Sequence, residues 1–367
     1  MSAQDQGRDR PGDRDPRTSH PYHMYEAIQA QPAAFARLAR EATQPAERFA
    51  EIASGCARLH LAGTGTSFHA AELGEHLVRA ADARTAARAW RAFDFALYGP
   101  DLSPADAVIV VSHRGTKRYS RAALARARRA GAPTALITGE DGGDDADADV
   151  VFRTVPGERS SAHTVSFIGS VAALAALASR VGGGTDDLPE SCVPAALEAA
   201  LGLEDRMGAL ARAHAGRRRI WLAGGGPAAT AAREIALKIK ETSYLQAEGM
   251  ATETLLHGPF QCAEEEDLFV LIAPSGPGQS RTAELTDAVR AIGASLLVVG
   301  DETAEMVAGA DASRVAVPTL PEPFGALACI VALQLFTYHL ALERGTDPDG
   351  FRLEDPRFAR ASAAVEL

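Results

Sequence analysis

Between residues 61 and 67 the chain reads Leu61-Ala62-Gly63-Thr64-Gly65-Thr66-Ser67, and its first three residues return as Leu222-Ala223-Gly224. A second block, Val110-Val111-Ser112-His113-Arg114-Gly115, lines up with Leu271-Ile272-Ala273-Pro274-Ser275-Gly276, and a third pair of strand ends lines up at the glycines 139 and 300. In all three blocks the separation is 161 residues. A period this long is too large for a solenoid, so the sequence predicts two copies of one domain in tandem.

Each copy alternates short apolar runs with helical stretches. The run 107–111 is apolar throughout, which is typical of a strand buried on both faces of a parallel sheet. Strand–helix alternation predicts two doubly wound, flavodoxin-like α/β domains, with helices on both faces and ligands at the carboxyl ends of the strands. Further strands are predicted at 58–62, 134–138 and 150–155, and helices at 22–42, from the glycine turn to about 81, from Lys117 to about 130, at 164–180, and from about 228.

Composition sets the outer limits of the two domains. Residues 1–21 are rich in Asp, Arg, Gly, Pro and Ser, so we expect a disordered tail there. The first domain is predicted at 22–182 and the second at 183–345, because Gly182-Gly183-Gly184-Thr185 interrupts the pattern between them. Residues 346–367 form a C-terminal tail.

Charge and cysteine usage exclude several classes of protein. The net charge of −11 argues against binding to nucleic acid, which needs a basic surface. An apolar run of about 18 residues and an apolar signal-peptide core are both missing from the sequence, so a membrane span is not expected. The four cysteines lack any metal-binding spacing, which predicts reduced thiols and a cytoplasmic location.

Two loops of the first half follow strands and open helices, a position that directs backbone N–H groups toward an anion. The glycine turn offers the hydroxyls of Thr66 and Ser67. The second loop offers four polar or cationic side chains, those of Ser112, Arg114, Thr116 and Lys117. Hydroxyls beside a guanidinium suit a phosphate dianion. Ordinary strand-to-helix turns with Ser or Thr caps explain either loop equally well on its own.

A possible acid/base group lies in the second half. Lys238 and Glu241 are three residues apart in a predicted helix and share one face. His257 precedes Gly258-Pro259, which ends a helix and exposes the imidazole. A carboxylate and an imidazole are the minimum for sugar ring opening and aldose–ketose proton transfer. Spacing alone fits a surface Lys–Glu pair and a loop histidine at least as well.

The tandem repeat, the Gly65-Thr66-Ser67 turn, the segment from Ala236 to Tyr244 and Leu256-His257-Gly258-Pro259 together resemble the sugar isomerase (SIS) domain family. This family includes the isomerase half of glucosamine-6-phosphate synthases, amino-sugar-phosphate deaminases and fructosamine-phosphate deglycases. The resemblance covers residues 22–366.

The resemblance implies a role for each candidate residue. Glu241 would be the C1–C2 proton-transfer base with Lys238 beside it, and His257 the ring-opening group. Thr66, Ser67 and Ser112 would bind the phosphate of a phosphorylated sugar or amino sugar. The resemblance also implies a homodimer with a shared active site, in which the neighbouring chain contributes the histidine, a C-terminal tail that closes over the site, and no metal or redox cofactor.

The sequence departs from the family in three places. The family's phosphate loop reads Ser-Gln-Ser-Gly-Glu-Thr, whereas residues 112–117 read Ser-His-Arg-Gly-Thr-Lys. The family's catalytic tail lysine falls on Ala361, and the adjacent Arg360 cannot form an imine. A glutaminase segment before the tandem domains is not expected.

These departures favour isomerisation coupled to deamination or deglycation of a 6-phosphorylated amino sugar or sugar–amine adduct. Two alternatives remain open at this stage. One is the isomerase component of a synthase that uses free ammonia or a separate glutaminase. The other is a non-catalytic sugar-phosphate sensor.

Overall fold

The computed structural model describes residues 17–81, 86–143, 148–181, 190–309 and 312–365. Residues 1–16 of the predicted tail and the predicted linker at 182–185 lie outside these ranges. The last residues of the predicted tail contact the second half, since Nδ1 of His20 lies 2.8 Å from the hydroxyl of Tyr338.

Helices and strands alternate through most of the chain. The α-helices are α1 His23–Gln29, α2 Gln31–Glu41, α3 Thr43–Ile52, α4 Thr66–Ala80, α5 Ala92–Tyr98, α6 Arg118–Arg129, α7 Val165–Val181, α8 Val193–Leu201, α9 Glu204–His214, α10 Pro227–Ser243, α11 Thr252–Leu256, α12 Gln279–Ala291, α13 Glu305–Ala308, α14 Gly325–Glu343 and α15 Pro356–Ala363. The strands are β1 Arg58–Gly63, β2 Ala86–Arg91, β3 Asp106–Val111, β4 Thr134–Thr138, β5 Val150–Arg153, β6 Arg219–Gly224, β7 Gln246–Ala251, β8 Leu268–Ile272, β9 Ser295–Gly300 and β10 Ser313–Ala316. Short 3₁₀ turns occur at Glu190–Cys192, Pro259–Cys262 and Glu302–Ala304.

The strands form two five-stranded sheets with the same topology. The first has the order β2-β1-β3-β4-β5 and the second β7-β6-β8-β9-β10. The pairings within both sheets are parallel, and helices cover both faces. This is the flavodoxin-like order. The predicted fold class and the duplication are therefore confirmed.

The central strands are buried because their sequences are apolar. Every residue of β3 and of β8 is buried, as expected for strands that helices cover on both faces. The predicted helix at 22–42 is wrong as a single element, because the chain turns between α1 and α2. Pro32 lies in the first turn of α2, where it cannot continue α1: its ring lacks an N–H and clashes with the carbonyl four residues before it.

Both sheets begin with the same ion pair at their amino-terminal edge. In the first sheet Nη2 of Arg58 lies 2.9 Å from Oδ2 of Asp106. In the second sheet Nη2 of Arg219 lies 3.0 Å from Oδ2 of Asp267. Each arginine starts one central strand and each aspartate lies at the start of its neighbour, so the repeat extends to individual side-chain contacts.

Two apolar helices lie at the centre of the molecule. α7 and α14 are buried along most of their length, and one continuous core of apolar side chains includes residues of both halves. α14 is long and apolar enough to cross a membrane by length and composition alone, but 89% of its apolar window is buried inside the protein. It packs against α8, α9 and α10, which is the environment of a core helix.

The two halves also meet where α4 packs against α10. These helices are equivalent in the repeat, since α4 follows β1 and α10 follows β6. The contact brings the glycine turn of the first half next to the middle of α10 in the second.

Candidate active site

The glycine turn carries the chain directly from β1 into α4. A side chain at Gly63 would place its Cβ 2.3 Å from the carbonyl oxygen of Ser67, so only glycine permits this close approach. Gly65 has a φ of 57°, which glycine also favours. The turn therefore places Thr66 and Ser67 at the first residues of α4, and both side chains are half-buried.

The side chain of Lys238 joins the two halves at this point. It is fully buried, and its Nζ donates to Oγ1 of Thr66 at 2.8 Å and to Oε2 of Glu241 at 2.7 Å. The structure therefore brings three of the predicted site residues together, one from α4 and two from α10. The carboxylate of Glu241 is 19% exposed and is the least buried of these charged groups.

Two further residues complete this cluster, and the sequence did not single them out. Glu234 is fully buried, 3.5 Å from Nζ of Lys238. Its Oε2 lies 2.6 Å from Nδ1 of His69, and its Oε1 accepts from the hydroxyl of Thr66 at 3.2 Å. We call the set Thr66, His69, Glu234, Lys238 and Glu241 the buried charge cluster. The signal for Glu234 was its position one helical turn before Lys238.

Burial and neighbouring charges act in opposite directions within the cluster. Burial disfavours the charged form of Lys238, but Glu241 and Glu234 outweigh it and raise the lysine pKa. Burial raises the pKa of Glu241, and the nearby Lys238 offsets this only in part. The pKa of Glu234 is lowered, because Lys238 and the hydrogen bonds from His69 and Thr66 outweigh its burial. Glu241 is thus the more basic of the two carboxylates, which suits it to take up a proton.

The second predicted loop lies on the neighbouring strand. It follows β3, which pairs directly with β1, so both loops lie at the same edge of the first sheet. Ser112 is 3% exposed, and its hydroxyl has no hydrogen-bond partner among the residues that the structure describes. Arg114 and Lys117 are half-buried, Thr116 is exposed, and α6 begins directly after Lys117. An unpaired buried hydroxyl in a loop before a helix is suited to accept a ligand.

Comparison with known proteins identifies the family. The SIS domain family matches the chain twice, at residues 54–180 and 215–344. The chain belongs to the SIS domain family. Each match includes one of the two parallel sheets and the α4 or α10 helix of the site, so the family prediction from the sequence is confirmed.

The SIS domains resemble proteins named glutamine–fructose-6-phosphate aminotransferase (isomerizing). One from Zymomonas mobilis is 31% identical over 324 residues, which covers 84% of this chain and 52% of the relative. One from Streptomyces coelicolor is 30% identical over 318 residues, covering 82% of this chain and 51% of the relative. The chain therefore spans about half the length of the curated relatives that it matches.

Solved structures share the fold of this SIS protein. The C-terminal domain of glucosamine-fructose-6-phosphate aminotransferase from Francisella tularensis has a TM-score of 0.82 at 20% identity, covering 91% of this chain and 99% of that one. Glucosamine-6-phosphate deaminase from Thermotoga maritima has a TM-score of 0.69 at 19% identity, covering 89% and 97%. At these identities the likeness concerns the fold.

His257 is not brought to the buried charge cluster within one chain. It lies just after α11 with 71% of its side chain exposed, and its Nε2 is 2.7 Å from Oε1 of Glu253. Glu253 in turn accepts from Arg281 at 2.7 Å. Within the described ranges His257 makes no hydrogen bond or ion pair to Lys238 or Glu241. Its predicted contribution from a neighbouring chain stays a prediction.

The C-terminal segment of the SIS protein packs near the end of α10. The hydroxyl of Tyr244 donates to the carbonyl of Gly350 at 3.0 Å. The guanidinium of Arg352 lies over the rings of Tyr244 and Phe358, at 5.1 and 4.3 Å. α15, which carries Ala361, has no buried residue within the described part of the tail. Closure of this tail over the site stays a prediction.

Within the described ranges, no group of three or more His, Cys, Asp or Glu side chains is arranged to hold a metal ion. The four cysteines are free thiols. Burial raises the pKa of Cys329, so that thiol is a poor nucleophile.

Proposed function

We propose that this SIS protein catalyses aldose–ketose isomerisation coupled to deamination or deglycation of a 6-phosphorylated amino sugar or sugar–amine adduct. One observation carries the proposal: the Nζ of Lys238 donates hydrogen bonds both to Thr66, in the glycine turn before α4, and to Glu241, in α10. Glu241, the candidate proton-transfer group, and Thr66 of the candidate anion-binding turn are therefore each one hydrogen bond away from the same nitrogen atom. This is the arrangement that a sugar carrying a phosphate at one end and a reactive carbonyl at the other requires.

Glu241 would move the proton between C1 and C2 of the sugar. Its raised pKa makes it a stronger base than an exposed glutamate, and its partial exposure leaves it accessible to a ligand. Lys238 would hold the carboxylate in place through the 2.7 Å hydrogen bond. Glu234, with His69, would fix the lysine from the opposite side, so that its charge stays between the two carboxylates.

The phosphate would bind at the edge formed by the glycine turn and the loop after β3. Ser67, Ser112 and Thr116 supply hydroxyls, and Arg114 and Lys117 supply positive charge. Thr66 would contribute its hydroxyl by turning its proton from Glu234 to the phosphate. The unpaired hydroxyl of Ser112 supports this placement, because a buried polar atom without a partner is costly unless a ligand satisfies it.

His257 would act on the ring oxygen from a neighbouring chain. Its side chain is exposed and lies away from the cluster of its own chain, which supports a homodimer with a shared active site. The test mixes two inactive variants, Glu241→Gln and His257→Ala. In a shared dimer, mixing restores up to about a quarter of the wild-type activity, because one site in each mixed dimer keeps both residues. Absence of recovery after subunit exchange, with dimers present by light scattering, would contradict the shared site.

The reaction is tested by incubating the protein with glucosamine 6-phosphate while ammonia and sugar products are followed. A panel of phosphorylated fructosamines and other amino sugars then identifies the preferred substrate. Glu241→Gln is expected to lower kcat by about 10²- to 10⁴-fold, because proton transfer by a positioned side chain contributes that much. Glu198→Gln, an exposed carboxylate on α8, is the matched control. Undiminished turnover in Glu241→Gln would overturn the proton-transfer role.

A second candidate is the isomerase component of a glucosamine-6-phosphate synthase that receives ammonia from elsewhere. The names of the curated relatives favour it, since both are glutamine–fructose-6-phosphate aminotransferases. Formation of glucosamine 6-phosphate from fructose 6-phosphate and ammonia would select this function. Tight binding of both sugars without turnover would instead identify a sensor, a role that the alanine in place of the family's tail lysine would permit.

A further inference from the structure

A pair of histidines, His113 and His163, lies at the loop that follows β3. His113 is the residue after Ser112, where the family has glutamine, and its Nε2 accepts the backbone N–H of Glu158 at 3.3 Å. The ring of His163 meets the ring of His113 edge-on, with centroids 5.1 Å apart and planes at 82°. None of the reactions described above uses either imidazole.

Glu158 holds the segment before α7 in a fixed position. Its Oε1 accepts from the backbone N–H of Thr164 at 2.7 Å and from the Thr164 hydroxyl at 3.0 Å. Its Oε2 accepts from the backbone N–H and hydroxyl of Ser166, at 3.1 and 2.6 Å. A carboxylate is stable there, because the N-terminal end of a helix favours negative charge. His163 directly precedes Thr164, so this anchor fixes its backbone, and its ring packs edge-on against the ring of His113.

Burial and the charged groups near His163 together lower the pKa of its imidazole. Burial lowers its pKa to about 4 against the opposing effect of Glu158, and the nearby His113, Lys238 and Arg114 lower it further. Arg114 belongs to the phosphate-type loop and Lys238 to the buried charge cluster. The edge-on contact with His113 places the ring of His163 beside the loop that carries Arg114.

The imidazole of His163 is neutral near pH 7, because its pKa is lowered to about 4. Across the part of the chain that the structure describes, it makes no hydrogen bond to another protein group. A neutral imidazole offers one donor and one acceptor, which matches a hydroxyl group better than a phosphate dianion. The cations and hydroxyls of the loop are the groups proposed above to bind the phosphate.

We propose that His163 is a specificity-determining residue, positioned by His113, that hydrogen-bonds a hydroxyl on the carbon chain of the sugar phosphate. The contacted hydroxyl would lie on the part of the carbon chain next to the phosphate, because the ring of His163 lies against His113 of the loop proposed to bind that phosphate. This inference rests on the proposed function and names the part of the substrate that the site reads.

Calorimetric titration of the full chain with fructose 6-phosphate, and separately with inorganic phosphate, tests the proposal. His163→Ala is expected to weaken fructose 6-phosphate binding about tenfold, the effect of one lost hydrogen bond, and to leave phosphate binding unchanged. His163→Gln keeps a donor and an acceptor and should recover most of the affinity. His76→Ala, a half-buried histidine on α4, is the matched control.

Three results would overturn the role of His163. These are unchanged fructose 6-phosphate affinity in His163→Ala, an equal loss for both ligands, or a His163→Gln variant as weak as the alanine. Thermal melting of each variant ensures that only folded protein is compared. Failure of the proposed function gives a different outcome, since the wild-type chain would then bind fructose 6-phosphate and glucosamine 6-phosphate no more tightly than inorganic phosphate.

Discussion

Replacing Lys238 by methionine tests the buried charge cluster most directly. The change keeps the length of the side chain but removes the hydrogen bonds to Thr66 and Glu241 and the 3.5 Å ion pair with Glu234. The fully buried Glu234 and the partly exposed Glu241 are then left without the cation that both of them contact. Removing one partner of a buried ion pair costs about 3–5 kcal/mol, and we expect a loss of stability in that range near pH 8.

The loss should depend on pH with a definite sign. Without Lys238, burial and Glu234 both raise the pKa of Glu241. A carboxyl group with a raised pKa in the folded state contributes stability at low pH and loses it as the pH rises through the folded pKa. Lys238→Met should therefore be less destabilising at pH 5.5 than at pH 8, as measured by urea denaturation.

Two comparisons make this prediction decisive. Lys240→Met changes an exposed lysine of the same helix and should shift stability by less than about 0.5 kcal/mol. The double variant Lys238→Met with Glu241→Gln should lose at least about 1 kcal/mol less than the sum of the single losses, because neighbouring charges couple. Equal losses at both pH values, together with additive single and double variants, would refute the opposing-charge account of the cluster.

Two further predictions concern the first domain. Burial opposes ionisation of Asp106, but hydrogen bonds from Arg58, Ser103 and His60 lower its pKa to about 2. The ionised carboxylate therefore contributes about 2 kcal/mol to the free energy of unfolding. This contribution is present above pH 4 and is lost as the pH falls toward 2. Acid titration of stability in Asp106→Asn should lack this loss, whereas a curve parallel to wild type below pH 4 would contradict the assignment. Glu158→Gln removes the negative charge at the start of α7 and should lower the free energy of unfolding by about 1–3 kcal/mol, as measured by urea denaturation. The exposed control Glu140→Gln should change it little. A loss below about 0.5 kcal/mol in Glu158→Gln would show that α7 does not depend on this anion.

The sequence predicted the architecture because buried parallel strands leave a local signal. The apolar runs of β1, β3 and β4 and the 161-residue period were sufficient for the fold class. The strand β2 and the helix α5 after it were not predicted, because Ala86–Arg91 carries two arginines and is only half buried at the sheet edge. An edge strand need not be apolar on both faces.

Contacts within the buried charge cluster could be predicted from the sequence only between residues of one helix. Lys238 and Glu241 share a helix, so their spacing was informative. Glu234 and His69 are 165 residues apart, and their contact exists only because α4 packs on α10. The hydrogen bond from Glu158 to His113 spans 45 residues and depends on the path of two loops, which local patterns do not determine.

The matching Arg–Asp pairs at the amino-terminal edges of the two sheets indicate how the chain evolved. Arg58 and Asp106 are 48 residues apart, as are Arg219 and Asp267. The loops at the opposite ends of the sheets have diverged: residues 112–117 include the cations Arg114 and Lys117, whereas residues 275–278 read Ser-Gly-Pro-Gly. This pattern is expected after gene duplication, when both copies keep the contacts that stabilise the fold at one end of the sheet and the loops at the other end change function independently. A search for a one-domain ancestor should therefore look for an arginine and an aspartate at this spacing, at the starts of neighbouring parallel strands. The charged residues of α10 are a poorer search pattern.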